Sequence, residues 1–267
     1  MYDFELVKPA TVAEAVEALR GEDAQALGGG QTLLPTMKAR LAQMETLVSL
    51  AHIAEMKYVR RDGDVLVVGG GTTHGRIARE AAEHYPALAS LSARIGDPAV
   101  RARGTIGGSL ANDDPSACWP AGALGSGATI VATGPDGARE IAADDFFQGM
   151  FLTALQGGEI VTEVRLPIPQ AARYEKFIQP ASRFPLVASF VARYADGVRV
   201  AVTGASQGGV FRWAEAEAAL ASDFSADAVK RLTPPDGSGM ISDLHGSGEY
   251  RAHLVGVMTA RAVAAAA

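Results

Sequence analysis

The 267-residue chain carries a single cysteine, Cys118. One thiol can form no internal disulfide and cannot supply the ligands of an iron–sulfur cluster or a structural zinc site. The five histidines, His52, His74, His84, His245 and His253, show no metal-ligand spacing, so no metal is expected. No apolar run approaches the roughly 18 residues of a membrane span. The opening MYDFELVKPA lacks a basic stretch followed by an apolar one, so no secretory leader is expected and the chain reads as cytoplasmic. Cations are scattered: 24 Lys plus Arg against 30 Asp plus Glu gives a net charge of −6, and no basic block is longer than Arg60-Arg61. Nucleic acid and anionic membranes need clustered cations and are excluded as main partners. An apolar content of 48% excludes a disordered chain. The length suits one large or two modest domains at roughly 100–200 residues each.

What the sequence has in excess is glycine. There are thirty, clustered in LGGGQT (27–32), VGGGTTHG (68–75) and RGTIGGSLA (103–111). Residues 11–20 predict an amphipathic helix capped by Thr11, with Val12, Ala15, Val16 and Leu19 on one face. Ala24–Leu27 predicts a strand running into the first glycine cluster. Thr32 is a candidate cap for a helix to about Arg40, and Met44–Leu50 reads as the next strand, an alternation that builds a small parallel sheet. Val65–Val68 predicts a strand into the second cluster, with Thr72 or Thr73 capping a helix over 75–82, and a further helix covers about 87–93. Beyond the third cluster the pattern turns antiparallel. A hairpin is expected over 129–142, then a strand over 160–166 stopped by Pro167 and Pro169. A meander follows over 174–205, with Asp196-Gly197 supplying a positive φ, then helices near 214–221, 226–231 and 248–264.

Glycine where a strand ends or a helix begins lets successive backbone N–H groups point at an anion. A dinucleotide diphosphate suits such donors without lysine; the plainer alternative is that the glycines only permit tight turns. The sequence has neither the P-loop pattern nor G-x-G-x-x-G, so a different dinucleotide fold is implied.

The strings GGGQTLLPTMKARLAQMETLVSL (28–50), TTHGRIA (72–78), IGDPAVRARGTIGGSLANDDPSACWPA (95–121) and SDLHGSGEYRAHLVGVMTARAV (242–263) resemble the medium, FAD-binding subunit of the molybdenum hydroxylases. That family includes carbon monoxide dehydrogenase, and its flavin domain is similar to that of xanthine dehydrogenase. The resemblance spans nearly the whole chain and rests on two loops, A-G-G-[HQ]-[ST] and T-[IL]-G-G-[NS]. It implies an α+β chain: an FAD-binding domain of the vanillyl-alcohol-oxidase (PCMH) type over residues 1–168, made of two α/β subdomains (about 1–55 and 56–168). A C-terminal domain over 169–267 would pack an antiparallel sheet on helices.

It also implies the site. Gly29, Gly30, Gln31 and Thr32 would cradle the diphosphate from one side, and Thr105, Gly107 and Gly108 with Ser109 from the other. Leu27, Gly28, Leu33 and Leu34 would lie nearby, Ile95 close to the isoalloxazine ring and Val161 near the adenine or ring end. Gly28 replaces the usual Ala. Cys118 stands where relatives commonly have an Asp that would meet the cofactor's sugar hydroxyls, a role for which Asp114, ahead of Asp113, is the expected substitute. Gln179 stands where a basic residue is common near the flavin, and Arg183 is a candidate replacement. Tyr174, Phe177 or Phe184 could cover the ring, or be ordinary strand formers.

Other residues carry plainer readings. Around Cys118 the local sequence offers neither base nor cation, so a packed thiol is expected rather than a nucleophile. His74 reads as a capping or turn residue, Trp119 and Trp213 as core anchors, and Asp144-Asp145 as a helix cap before Phe146-Phe147.

The implied function is electron transfer. FAD in this chain would pass electrons from a small [2Fe-2S] subunit to an external acceptor, while a large molybdopterin subunit oxidises substrate, in a (large-medium-small)2 assembly. No residue here is expected to be catalytic. The alternatives are a self-sufficient flavin oxidase or dehydrogenase of the same fold, and a non-redox nucleotide-binding module.

Overall fold

A computed structural model describes residues 1–266. The first layer is β1 (Glu5–Val7), α1 (Val12–Ala18), β2 (Ala24–Leu27), α2 (Leu33–Lys38) and β3 (Thr46–Ser49). Its three strands run parallel in the order β1-β3-β2. Thr11 caps α1 as its spacing demands, accepting from the Glu14 N–H at 3.1 Å, while the Glu14 carboxylate accepts from the Ala10 N–H. Thr32 does not cap α2 with its side chain; the amides at that end stay open.

The second layer begins with β4 (Val59–Asp62) and β5 (Val65–Gly69), then α3 (His74–Glu80), α4 (Pro86–Ala93), α5 (Pro98–Arg103), α6 (Ile106–Asn112) and α7 (Trp119–Ser126). It closes with β6 (Thr129–Gly134), β7 (Gly137–Ala142), α8 (Ala143–Phe146), β8 (Phe147–Gly149), β9 (Leu152–Thr153) and β10 (Ile160–Pro167). The main sheet has the order β4-β5-β10-β6-β7, with every pair antiparallel. Neither Thr72 nor Thr73 caps α3 with its side chain; Thr72 Oγ1 instead donates to the Tyr58 carbonyl at 3.0 Å. Asp144 is not a helix cap either, because its carboxylate is held by Arg199 and Arg212 at 2.6 and 3.1 Å.

The third layer is a meander, β11 (Ala171–Ile178), β12 (Pro185–Tyr194), β13 (Gly197–Thr203) and β14 (Phe211–Arg212), followed by α9 (Ala214–Ser222), α10 (Ala226–Lys230) and α11 (Gly248–Ala266). Gly197 pairs with Tyr194, so the β12–β13 turn is Ala195-Asp196, and neither it nor Gly197 takes a positive φ.

α7 explains how the layers join. Every residue of it is buried, as an apolar-all-round helix requires. Glycine lets it lie close to its neighbours: a Cβ on Gly125 would come within 2.6 Å of the Phe190 ring in β12. One face of the β11–β13 sheet therefore shares a core with α4 and α7, through Tyr174, Ala188, Phe190, Ala192 and Ala201. Val187, Val191, Val200 and Val202, of opposite parity, face the core formed with α9, α10 and α11.

Candidate functional site

The three glycine clusters converge on one place. Gly70 donates its N–H to the Thr162 carbonyl at 2.8 Å, and its own carbonyl accepts from the Gly107 N–H at 2.9 Å. Ile106 N–H donates to the Thr72 carbonyl, His74 N–H donates to the Gly104 carbonyl, and Thr73 and Thr105 form a short antiparallel bridge. Val161 is buried in β10, with its carbonyl directly behind Gly70. The second cluster is thus the floor on which the third rests.

The first cluster packs on the third without room for side chains. A Cβ on Gly29 would lie 2.1 Å from the Arg103 carbonyl oxygen and 2.5 Å from Gly104 Cα, and one on Gly28 would lie 3.0 Å from Thr105 Oγ1. Gly30 has φ +69°, the left-handed conformation open to glycine. Thr105 Oγ1 accepts from the Gly108 N–H at 3.1 Å and caps α6. Gly108 is exposed, and a Cβ there would meet only Thr105 Oγ1 within 4 Å. Ser109 N–H is taken up by the Thr105 carbonyl.

Between them these loops leave donors unclaimed. Among the described residues, the amide N–H groups of Gly29, Gly30, Gln31 and Thr32 find no acceptor. Gln31 and Thr32 are exposed beside this row, and Leu27, Leu33 and Leu34 flank it half-buried. Consecutive open amides with threonine hydroxyls, and no lysine, are the donor set of a diphosphate. The open face at Gly108 leaves space for one. On these observations the residues present fit a dinucleotide such as FAD.

His74 was missed as more than a turn residue. Its ring is buried, Trp119 Nε1 donates to its Nδ1 at 3.1 Å, and its Nε2 edge lies where a Cβ on Gly104 would fall, at 2.8 Å. Burial, aided by Arg101, brings its pKa down to about 4, so the ring is neutral and braces the third loop from beneath. The sequence signal was the T-T-H that follows the second glycine run; its partner Trp119 is 45 residues away.

The remaining candidates divide. Ile95 lies half-buried between α4 and α5, its carbonyl held by Arg101 at 2.9 Å. Asp114 Oδ1 accepts from the Ser116 N–H at 2.8 Å. Asp113, at the left-handed end of α6 (φ 42°), is buried with both carboxylate oxygens unpartnered among the described residues. Cys118 is buried at the start of α7, and contrary to the local reading it has a cation beside it, Lys176 Nζ at 3.4 Å. Gln179 follows the last residue of β11, and its side-chain amide bonds His245 Nδ1 at 2.9 Å, with Phe184 edge-on to that imidazole. Arg183 is exposed at the hairpin tip with φ 59°. Tyr174 is fully buried, and Phe177 packs edge-on against Tyr250.

Burial, reinforced by Asp114, pushes the Asp113 carboxyl from 3.8 up to about 7. Such a group takes up a proton on folding. Its contribution to stability is complete below about pH 4 and is lost as the pH rises through 7. In cofactor-free protein, Asp113→Asn is expected to exceed the parent at pH 8 by about 2 kcal/mol, with the gap closing toward pH 4. Urea titrations across that range test this; a gap that does not change with pH would refute it.

Comparison with known proteins identifies the family. The family described as FAD binding domain in molybdopterin dehydrogenase matches residues 2–169. The carbon monoxide dehydrogenase medium chain of Afipia carboxidovorans is 35% identical, over 97% of this chain and 95% of that one. The nicotine 6-hydroxylase medium subunit of Paenarthrobacter nicotinovorans is 34% identical, over 96% and 94%. Among solved structures, carbon monoxide dehydrogenase from Hydrogenophaga pseudoflava, in a form lacking the Mo-pyranopterin moiety, superposes with a TM-score of 0.88 at 34% identity, covering 99% and 97%. Quinoline 2-oxidoreductase from Pseudomonas putida 86 does so at 0.89 and 28%, covering 99% and 97%.

Proposed function

The chain belongs to the FAD-binding medium subunits of the molybdenum hydroxylases, and from that membership we propose that it takes electrons from an iron–sulfur partner and discharges them to an external acceptor. As an oxidoreductase subunit it carries the flavin domain of a multi-subunit complex with large and small partners. The reading extends to two copies of each subunit, with [2Fe-2S] clusters in the small subunit and molybdopterin in the large one, and to a cytoplasmic location. No described helix is long and apolar enough to cross a membrane.

The observation that carries the reading is the open row of amides at Gly29–Thr32, backed directly by the third loop. Those amides, with Thr32 and Thr105, would hold the diphosphate. Gly108 leaves its approach clear, and His74 and Gly70 keep the third loop in register. Ile95, positioned by Arg101, would border the ring. Of the two carboxylates after α6, Asp113 has both acceptors free for a sugar hydroxyl, whereas Asp114 is already engaged. FAD, when bound, accepts electrons singly and passes them on in pairs. No side chain of the site is assigned a proton transfer.

The purified full-length chain is expected to show flavin absorption that dithionite bleaches. Gly108→Leu fills the open face and is expected to leave a folded, colourless protein. A yellow variant with a full complement of FAD would remove the loop assignment, and a parent that binds no flavin would remove the function.

A further inference from the structure

Cys118, 5% exposed, is ringed by groups that its thiol does not satisfy. Lys176, also 5% exposed, sets its Nζ 3.4 Å from Sγ and donates to the Arg94 carbonyl at 3.0 Å; it has no carboxylate partner among the described residues. Tyr174, two residues earlier on the same face of β11, is fully buried, and its hydroxyl lies against the sulfur with no oxygen or nitrogen partner. The Arg94 guanidinium is committed elsewhere, to the carbonyls of Tyr174 and Lys176 at 3.0 and 3.2 Å. A buried hydroxyl without an acceptor is costly, and a buried amine or ammonium with a single carbonyl acceptor leaves its remaining hydrogen-bonding capacity unmet. A neutral thiol is a poor acceptor for either. Both point to the same missing feature, an oxygen-bearing anion on the sulfur.

We propose that Cys118 is a peroxide-oxidised site whose sulfenate is held by Lys176 Nζ and Tyr174 Oη. The sulfur attacks one oxygen of hydrogen peroxide. An S–O bond forms and the O–O bond breaks, and the released hydroxide takes the thiol proton to leave as water. Sulfur is oxidised by two electrons and peroxide reduced by the same two: Cys–SH plus H2O2 gives Cys–SOH plus H2O. Burial biases Lys176 toward the free amine; as that amine it takes the sulfenic proton, and the resulting ammonium and the Tyr174 hydroxyl donate to the new anionic oxygen. The chain has no second cysteine, so no internal thiol can convert the product to a disulfide. Through Lys176 the modification reaches the Arg94 carbonyl, one residue before Ile95, but the oxidation does not require the electron-transfer role.

The test exposes the full-length protein as purified to hydrogen peroxide with a 1,3-dione that traps sulfenic acids, followed by peptide mass analysis. One adduct is expected, on the Cys118 peptide and absent when dithiothreitol precedes the trap. Its formation should be about tenfold slower in Lys176→Met and in Tyr174→Phe. Tyr174→Phe removes a single oxygen atom and decides the matter if Lys176→Met fails to fold. Equal rates in parent and Tyr174→Phe would overturn the proposal. So would a native protein that gives no adduct under conditions where the guanidinium-unfolded chain gives one.

Discussion

Gly29→Ala, a single added methyl group, is expected to lower FAD affinity by more than a hundredfold while leaving the far-ultraviolet circular dichroism unchanged. The new Cβ would sit 2.1 Å from a carbonyl oxygen and 2.5 Å from Gly104 Cα, and ordinary contact begins near 3.4 Å. Both obstacles are backbone, so no side-chain rotation relieves them. The first loop must retreat from the third by about an ångström, and the open amides at Gly30–Thr32 then no longer face the ground that Thr105–Gly108 define. A hundredfold loss is about 2.7 kcal/mol, less than misaligning two or three charge-assisted hydrogen bonds is expected to cost. Gly256→Ala in α11 is the control. A Cβ there meets nothing within 4 Å, so that variant should keep its flavin and gain a little helix stability. Isothermal titration of cofactor-free protein reads both; a Gly29→Ala protein within threefold of the parent would mean that the two loops do not act together.

Features set by neighbours in sequence were legible. Thr11 with Glu14, the strands before the first two glycine runs and the β11–β13 meander all follow from spacing over a few residues. The glycine clusters were visible as possible anion cradles, but their convergence was not. Gly70 beneath Gly107 and Gly29 against Arg103 are packing facts between segments tens of residues apart. β4 escaped notice because its sequence, VRRD, has no apolar alternation to read. The helices α6 and α7 escaped because glycine lowers their propensity; tertiary burial overrides it. Lys176 shows the limit most clearly. Nothing in the local sequence marks it, and only the fold turns it inward against a thiol 58 residues away.

The same kind of long-range pairing holds the C-terminal layer together, and Arg251→Ala is expected to destabilise the protein by about 3–5 kcal/mol. Arg251 on α11 is 1% exposed. Its guanidinium donates to the Leu186 and Gly204 carbonyls at 2.7 Å each and to both oxygens of Asp243 at 2.8 Å. Truncation strands two buried carbonyls and a carboxylate at once and leaves a cavity. For a chain of this length the melting temperature should fall by about 10 °C. Arg251→Lys, which keeps the charge but not the fork, should fall between. The loss depends on pH in a defined direction. Burial would raise the Asp243 carboxyl, but the His245 N–H and the Arg251 guanidinium outweigh it and hold it below its ordinary 3.8. That contribution is present above about pH 4 and is lost as the pH falls through the lowered value, so parent and Arg251→Ala should converge in acid. His245, whose N–H also bonds Asp243 Oδ1, is the residue that holds Gln179 at the end of β11. The variant should therefore raise amide exchange at residues 179–184 more than in α3 or α4. An Arg251→Ala protein within about 1 kcal/mol of the parent at pH 7 would show that α11 is held by its apolar face alone.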